Sequence, residues 1–401
     1  MNLSKLLSFE QGRITFFETL TKHSENWQQN PTPLSIVRKM LDKTLLKDKK
    51  ILVLFNIEFL QVLVEERKVK PENIYYIADN ELEYLGAIKI FKVQSYKLSD
   101  YTVSALKKLI EGIDMKFDLV FSNPPYNGNI DIKILNEIID ISDEYIVVHP
   151  STWLIDVKDK SKLYIDFKNK IKNRLKSVEL FNGNPVFNIG LLVPVSITHI
   201  IPSSNIIDVE NFSEKFSTCD IFQITKFGEK WQNLVLPFKN QIERFISDND
   251  GSVWSNRIWS SKQERVLNED KFYCQIASIR GGEERTRIDR MYKGSFYNMI
   301  NFDVDSNKGV RKIDTRGGTF EFPNETERDN FIDYLKTDFA RFCLSILKNK
   351  SDLYCGEMEL IPWLDFSEKW DDEKLFKKFN LSIELQNYIK DNIEDCYKIR
   401  K

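Results

Sequence analysis

The chain has 401 residues, of which 42% are hydrophobic and 29% charged, with a formal net charge of −2. These values suit a globular protein with room for two or three domains. No run of eighteen apolar residues predicts a membrane span, and the first residues lack the apolar segment of a secretory signal, so we expect a cytoplasmic protein. Five scattered cysteines without a CxxC pair, and only three histidines, argue for a reducing compartment and against a zinc site.

Up to about residue 202 the sequence alternates short apolar runs with helical patterns. The apolar runs typical of buried strands are Lys50–Phe55, Ile74–Ala78, Phe117–Phe121 and Tyr145–His149. Because buried strands separated by helices indicate a parallel sheet covered on both faces, we predict an α/β, doubly wound fold. Two further runs, Val178–Phe181 and Leu191–Ile201, predict a hairpin at one edge of the sheet.

Beyond residue 202 the pattern changes twice. Residues 203–322 have weak periodicity and mixed Gly, Asn, Asp and aromatic residues, which predicts a second, irregular domain. Helical periodicity returns after Asn324, which resembles the start of a capping box because Glu327 follows three residues later. One face of this predicted helix carries Phe331, Leu335, Phe339, Phe342 and Ile346. We therefore predict domains at 1–202 and 203–322, followed by a helical C-terminal region at 323–401.

The stretch FSNPPYNG, residues 121–128, follows the strand pattern FDLV. Neither proline has an N–H to donate and both fix φ, so the strand must end at Ser122 and the chain must turn stiffly. Ligands of open α/β sheets bind just beyond the carboxyl ends of the strands, where Asn123 lies. Its amide oxygen and the proline-locked carbonyl form two acceptors that suit a planar –NH2 group. Tyr126 could stack on the ring that carries this group.

Asn-Pro-Pro-Tyr after an FDLV strand resembles the catalytic motif of the S-adenosylmethionine-dependent methyltransferases that act on adenine N6. The order of the parts resembles the gamma class of DNA adenine-N6 methyltransferases from bacterial and phage restriction–modification systems. The C-terminal stretches FIDYLKTDFARFCLSILKNK and PWLDFSEKWDDEKL are similar to the tails of such enzymes. The resemblance implies a Rossmann-like methyltransferase sheet and direct methyl transfer to a flipped base. Its implied catalytic residues are Asn123, Pro124, Pro125 and Tyr126.

The resemblance also implies residues that hold S-adenosylmethionine. Thr32-Pro33 resembles the family's TP motif, which contacts the methionine carboxylate of the cofactor. Asp79 follows the second predicted strand, where a carboxylate commonly takes the ribose hydroxyls. Ser95-Tyr96 competes with Asp100-Tyr101 for the place beside the cofactor adenine. The implied set is Thr32, Pro33, Asp79, Asp100, Tyr101 and Asn123.

The loop after the first strand departs from the family pattern. Family members carry glycines here, since glycine allows positive φ and close approach to the cofactor. This chain reads ILVLFNIEFLQVL and has no glycine from 51 to 85. Asn56 and Glu58 are the polar groups at the end of the strand. Glu58 could pair with the cofactor's ammonium group and Asn56 could cap a helix. Equally, the pocket could be blocked.

Double-stranded DNA is the implied substrate, with base flipping to expose the adenine. HPSTWL, residues 149–154, resembles the helix start that lines the family's target-base pocket, and Phe187 would stack on the base opposite Tyr126. Residues 280–316 carry nine Lys or Arg against six Asp or Glu, so this segment is the best candidate for gripping DNA. Its candidate cations are Arg280, Arg285, Arg287, Arg290, Lys293, Arg311, Lys312 and Arg316.

Two other functions stay open at this stage. The glycine-free loop supports a catalytically silent DNA-binding subunit that keeps the fold without the cofactor. The NPPY corner is also shared by protein-glutamine and some RNA methyltransferases. The nearly two hundred residues after position 202 favour a large polymeric substrate. A restriction subunit or a second copy of the chain is a further candidate partner, and no metal is implied.

Overall fold

The computed structural model describes residues 31–155, 157, 161–187, 194–211, 214–258, 270–279, 300–303, 318–348 and 356–393. These residues form two compact units, and the main division falls between Ile224 and Thr225. The first unit contains a large mixed sheet, and the second contains a small sheet with helices. No helix in the described ranges is long and apolar enough to cross a membrane.

Nine described strands form the sheet of the first unit, in the order β3-β2-β1-β4-β5-β7-β6-β8-β9. Their bounds are β1 (Ile51–Leu54), β2 (Ile74–Ala78), β3 (Gln94–Lys97), β4 (Phe117–Ser122), β5 (Ser142–Pro150), β6 (Leu175–Phe181), β7 (Val195–Ile200), β8 (Ile207–Asn211) and β9 (Glu214–Thr218). The first five strands are parallel, and β7 inserts antiparallel between β5 and β6. The predicted α/β class is confirmed, and the order 3-2-1-4-5 is that of a doubly wound sheet.

Helices connect these strands and cover the sheet. They are α1 (Leu34–Leu41), α2 (Glu58–Leu60) with its π-helical continuation Gln61–Glu66, α3 (Glu81–Gly86) with its continuation Ala87–Phe91, α4 (Val103–Glu111), α5 (Ile130–Ile138), α6 (Thr152–Ile155), α7 (Lys162–Ile171) and α8 (Asn184–Phe187). All four side chains of β1 are fully buried, so β1 is covered on both faces. Ile51 and Val53 share one apolar cluster with residues of α1 and α2.

β6 and β7 form the antiparallel pair that the sequence predicts, but this pair does not lie at an edge. β8 pairs parallel with β6, and β9 pairs antiparallel with β8. Residues 207–211 and 214–218 therefore add two strands to the same sheet, and the first unit extends to Ile224. The alternating burial of β8 and β9 is typical of strands with one solvent-facing side.

The second unit combines a three-stranded antiparallel sheet, in the order β11-β10-β12, with helices. The elements are β10 (Phe272–Ile279), β11 (Ile300–Asp303), β12 (Thr319–Phe322), the π-helical Trp231–Val235, α9 (Leu236–Asp248), α10 (Glu325–Lys336), α11 (Asp338–Leu347), α12 (Asp372–Lys378) and α13 (Ile383–Asn392). One apolar core contains residues of β10, β12 and these helices, with Phe320, Phe331 and Phe342 fully buried. The predicted helical C-terminal part is confirmed.

The helix predicted after Asn324 is two helices. Asn324 caps α10 as expected, since its Oδ1 accepts the N–H of Glu327 at 2.9 Å. The chain breaks at Thr337, which has extended backbone angles and whose hydroxyl accepts the N–H of Ala340 at the start of α11. The predicted apolar face continues across this break, because its five residues are buried in one core.

Candidate functional site

The carboxyl ends of β2, β1 and β4 lie side by side in the sheet. Leu54 at the end of β1 aligns with Ile77 of β2 on one side and with Ser122 of β4 on the other. The residues just beyond these ends include the polar side chains singled out from the sequence, Asn56 and Glu58 after β1, Asp79 after β2 and Asn123 after β4. Parallel topology therefore gathers residues that are far apart in sequence at one edge.

The corner after β4 holds a buried asparagine whose amide is hydrogen-bonded at both ends. β4 ends at Ser122 as predicted, and Asn123 is only 3% exposed. Its Nδ2 donates to Thr32 Oγ1 at 3.0 Å, and its Oδ1 accepts a hydrogen bond from the hydroxyl of Tyr126. Burial raises the pKa of Tyr126, with the charge of Asp131 adding to the effect, so the tyrosine hydroxyl stays protonated and can donate.

Thr32 reaches this corner from the start of α1. Pro33 occupies the N-cap of the helix, and the proline ring restricts the backbone of the preceding Thr32 to extended conformations. Thr32 is 1% exposed, and its contact with Asn123 spans 91 residues of sequence. The backbone N–H of Thr32 also lies near the carboxyl group of Glu58, where it opposes the rise in pKa that burial causes. The TP motif, the NPPY corner and the loop after β1 are therefore in contact.

The glycine-free loop after β1 adopts the backbone geometry that glycine would ordinarily supply. Phe55 has φ of 62° and Asn56 has φ of 61°, both in the left-handed region. For Phe55 this costs roughly 1–2 kcal/mol because Cβ crowds the following carbonyl oxygen, whereas asparagine adopts this conformation more readily. Phe55 is fully buried, and its N–H donates to Ile77 O at 3.0 Å, which helps to hold this turn. Asn56 does not cap α2, because the N-cap is Ile57 and α2 has no side-chain cap bond.

Glu58, at the first position of α2, carries a carboxyl group that forms no ion pair with a cation among the residues that the structure describes. Its Oε2 is buried and has no hydrogen-bond partner among the described residues. Burial raises the pKa of Glu58 to about 7; hydrogen bonds from the backbone N–H groups of Glu58 and Thr32 oppose the shift, and Asp79 adds to it. A cationic ligand group at this oxygen would supply the missing partner, so the residue fits an ammonium group.

Asp79 follows β2 and is 4% exposed. Asn80 Nδ2 donates to its Oδ1 at 2.7 Å, and the hydroxyl of Tyr101 donates to its backbone carbonyl. Burial raises the pKa of Asp79. Of the two pairs that competed in the sequence, Tyr101 contacts this strand end, whereas Ser95 and Tyr96 lie within β3. Asp100 beside it is exposed.

The sequence did not single out two buried groups around this edge. Glu83 in α3 accepts a hydrogen bond from the hydroxyl of Tyr76, and burial together with the charges of Asp79 and Glu58 raises its pKa well above the ordinary value. Asp131 in α5 lies 3.3 Å from Nδ1 of the fully buried His149. No motif marked these residues. For Glu83 and Asp131 the sequence offered only a carboxylate close to apolar residues, whereas His149 begins the HPSTWL stretch.

The candidate base-pocket residues are buried in the first unit. Phe187, at the end of α8, is 8% exposed and belongs to the apolar cluster that includes α1. Trp153 of the HPSTWL stretch is 1% exposed and stacks on His149 with ring centroids 5.5 Å apart. Stacking of Phe187 on a target base stays a prediction.

The eight candidate DNA-binding cations lie outside the described residues. They are Arg280, Arg285, Arg287, Arg290, Lys293, Arg311, Lys312 and Arg316. Their role stays a prediction from the sequence. Within the described ranges, no group of three or more His, Cys, Asp or Glu residues is arranged to hold a metal ion.

No protein-family model and no curated protein matches this sequence. Solved structures that it resembles include the methyltransferase subunit of a type I restriction–modification system from Streptococcus thermophilus, at 12% identity over 55% of this chain and 57% of that chain, with a TM-score of 0.37. The type IIG restriction endonuclease BpuSI matches at 11% identity over 95% and 63%, with a TM-score of 0.42. A methyltransferase from Pyrococcus furiosus matches at 19% identity over 48% and 98%, with a TM-score of 0.29. The chain spans about half the length of the first type I subunits that it matches.

Proposed function

We propose that this chain is a site-specific DNA methyltransferase that transfers a methyl group from S-adenosylmethionine to adenine N6 of a flipped base. The observation that carries the proposal is the buried amide of Asn123, held between Thr32 and Tyr126 beside the carboxyl groups that follow β1 and β2. One edge of the sheet thus presents acceptors for an amine next to carboxylates suited to a cationic cofactor.

The cofactor would lie against the ends of β1 and β2. Glu58 Oε2 is the buried acceptor to which an ammonium group would bind, and Asp79 is placed to accept from ribose hydroxyls. The left-handed turn at Phe55 and Asn56 gives the backbone room that glycines give elsewhere. When bound, S-adenosylmethionine supplies an activated methyl group. The remaining cofactor contacts proposed from the resemblance are Pro33, Asn56, Asp100 and Tyr101, whereas the Thr32 hydroxyl already accepts a hydrogen bond from Asn123.

Asn123 and Pro124 would hold the target amine. The lone pair of adenine N6 is delocalised into the ring, so the nitrogen is a poor nucleophile. The amide oxygen of Asn123 and the carbonyl of Pro124 would accept its two hydrogens, favour a pyramidal nitrogen and stabilise the positive charge that develops on it. Because Asn123 Oδ1 now accepts the hydroxyl of Tyr126, base entry would replace that hydrogen bond. Tyr126 and Phe187 would then stack on the two faces of the base.

Double-stranded DNA is the proposed partner. Swinging a base out of the duplex costs a few kcal/mol, and contacts to the duplex must offset that cost. The basic segment 280–316 is the candidate for these contacts, through phosphates and one or two guanine edges. A restriction subunit or a second copy of the chain remains a candidate partner.

The substrate class can be tested by competition. The purified chain is incubated with methyl-labelled S-adenosylmethionine and, in turn, unmethylated duplex DNA, structured RNA and a glutamine-containing protein. We expect label in DNA alone. Label in RNA or protein would identify an RNA or protein-glutamine methyltransferase instead, because the same two acceptors also fit a guanine amine or a glutamine amide. Duplex binding without cofactor binding would identify a catalytically silent DNA-binding subunit.

A further inference from the structure

We propose that Thr32 is a positioning residue that fixes the orientation of the Asn123 amide. This inference rests on the proposed function, in which the amide oxygen must face the target amine. It assigns the threonine hydroxyl a role at the base, whereas the family resemblance assigns the TP motif to the cofactor's carboxylate.

An asparagine side chain carries an acceptor oxygen and a donor nitrogen of nearly equal size, and rotation by half a turn exchanges them. If Asn123 turned over, its NH2 group would face the target amine, and two donors would oppose each other. The Nδ2 atom therefore needs an acceptor of its own. Thr32 Oγ1 supplies one at 3.0 Å, and both side chains are almost fully buried. Water cannot readily replace such a contact.

Thr32 is itself held on two sides. The following Pro33, with φ of −53°, restricts the threonine backbone to extended conformations. Its N–H lies near the carboxyl group of Glu58, which begins α2, and opposes the rise in the pKa of Glu58 that burial causes. The β-branched side chain has few accessible rotamers, so the hydroxyl has a defined position. The restricted backbone at the start of α1 therefore fixes the Thr32 hydroxyl beside the amide of Asn123, which is 91 residues away in sequence.

The opposite end of the amide is consistent with this assignment. Asn123 Oδ1 accepts the hydroxyl of Tyr126, whose pKa is raised so that it remains a donor. In the proposed complex the target amine would replace this hydroxyl at Asn123 Oδ1. Removing the Thr32 hydroxyl takes this acceptor away from the buried NH2 group of Asn123 and weakens the preference for the observed orientation of the amide.

The test compares Thr32→Val, which keeps the shape and loses the hydroxyl, with Thr32→Ser, which keeps the hydroxyl. Thr32→Val should lower kcat roughly 10- to 100-fold, as expected for the loss of a buried hydrogen bond, and leave the Kd for S-adenosylmethionine within about threefold. Thr32→Ser should stay within about threefold of wild type in both quantities. Thr218→Val is the matched control, because Thr218 ends the edge strand β9 and its hydroxyl accepts the N–H of Asp220. A weakened Kd with unchanged kcat would overturn the proposal in favour of a cofactor contact.

A second readout does not need activity. In protein labelled with 15N-asparagine, the side-chain signal of Asn123 is identified by its loss in Asn123→Ala. Thr32→Val should shift this signal and speed its exchange with solvent, whereas Thr32→Ser and Thr218→Val should not. An unchanged signal in Thr32→Val overturns the proposal. If wild type methylates no substrate while the signal responds as expected, the proposed function fails and the positioning contact stands.

Discussion

Replacing Glu58 by glutamine tests whether the site contains an uncompensated carboxyl group. Burial raises the pKa of Glu58 from 4.5 to about 7 in the ligand-free chain. The folded protein therefore binds this proton more tightly than the unfolded chain. The resulting contribution of Glu58 to the free energy of unfolding is fully present below pH 4.5 and is lost as the pH rises through about 7. At about 1.36 kcal/mol per pKa unit, the loss reaches up to about 3 kcal/mol at pH 8.

Glutamine has a similar shape and cannot ionise. We expect Glu58→Gln to raise the free energy of unfolding of the ligand-free protein by up to about 3 kcal/mol at pH 8 and to change it little at pH 4.5, measured by urea unfolding followed by circular dichroism. Glu66, at the end of the continuation of α2, is the matched control. Its carboxylate pairs with Arg38, which lowers its pKa, so Glu66→Gln should not stabilise the protein.

The same change should weaken cofactor binding. In wild type, the affinity for S-adenosylmethionine should fall roughly tenfold per pH unit below about pH 7, because Glu58 must first lose its proton to pair with an ammonium group. In Glu58→Gln this pH dependence should disappear, as measured by isothermal titration calorimetry between pH 5.5 and 7.5. Equal stability of the two proteins at pH 8, or an unchanged pH profile of the affinity in the variant, would refute the reasoning.

Three further outcomes are expected. Tyr126→Phe should keep methylation within about threefold of wild type, whereas Tyr126→Ala should lower kcat/KM roughly 5- to 150-fold, because the ring rather than its hydroxyl bond to Asn123 supplies about 1–3 kcal/mol of base stacking. Lys226→Met should lower the free energy of unfolding by about 2–3 kcal/mol in urea, since the buried ammonium donates to two carbonyls at the end of α11. Burial alone would raise the pKa of Glu144, yet hydrogen bonds, led by the one from His199, lower this pKa to about 2. The contribution of the ionised group to stability is therefore complete at pH 7 and is lost as the pH falls, so Glu144→Gln should destabilise the protein at pH 7 and less so at pH 3.5.

The parts of the fold that the sequence predicted are those in which local pattern and burial agree. Strand β2 has the predicted bounds. Strand β4 ends at Ser122 as predicted, because the two prolines that follow have no N–H to donate to the sheet. Strands β3, β8 and β9 were not predicted. Their residues are partly exposed and carry no continuous apolar run, so their pairing with buried neighbours decides their structure. The inner position of β7 likewise depends on pairing across the whole sheet.

The sequence identified candidate residues at the strand ends, but it did not predict which of their side chains contact one another. The strand ends identified Asn123 and Asp79, since the carboxyl edge of a parallel sheet is a general property of the fold. The hydrogen bond from Asn123 to Thr32 spans 91 residues, and no local pattern encodes it. The left-handed turn at Phe55 and Asn56 was missed because glycine is the usual sign of positive φ, and here buried packing enforces it instead.

The central claim is that the corner at Asn123 transfers a methyl group to adenine. The most direct measurement incubates the purified chain with unmethylated duplex DNA and S-adenosylmethionine, digests the DNA and looks for N6-methyladenine by mass spectrometry. Asn123→Ala runs beside it with Asn173→Ala, an exposed asparagine just before β6 at the opposite edge of the sheet. The account predicts N6-methyladenine with wild type and Asn173→Ala, and none with Asn123→Ala. N6-methyladenine that persists in Asn123→Ala, or its absence with wild type on every DNA, would contradict it.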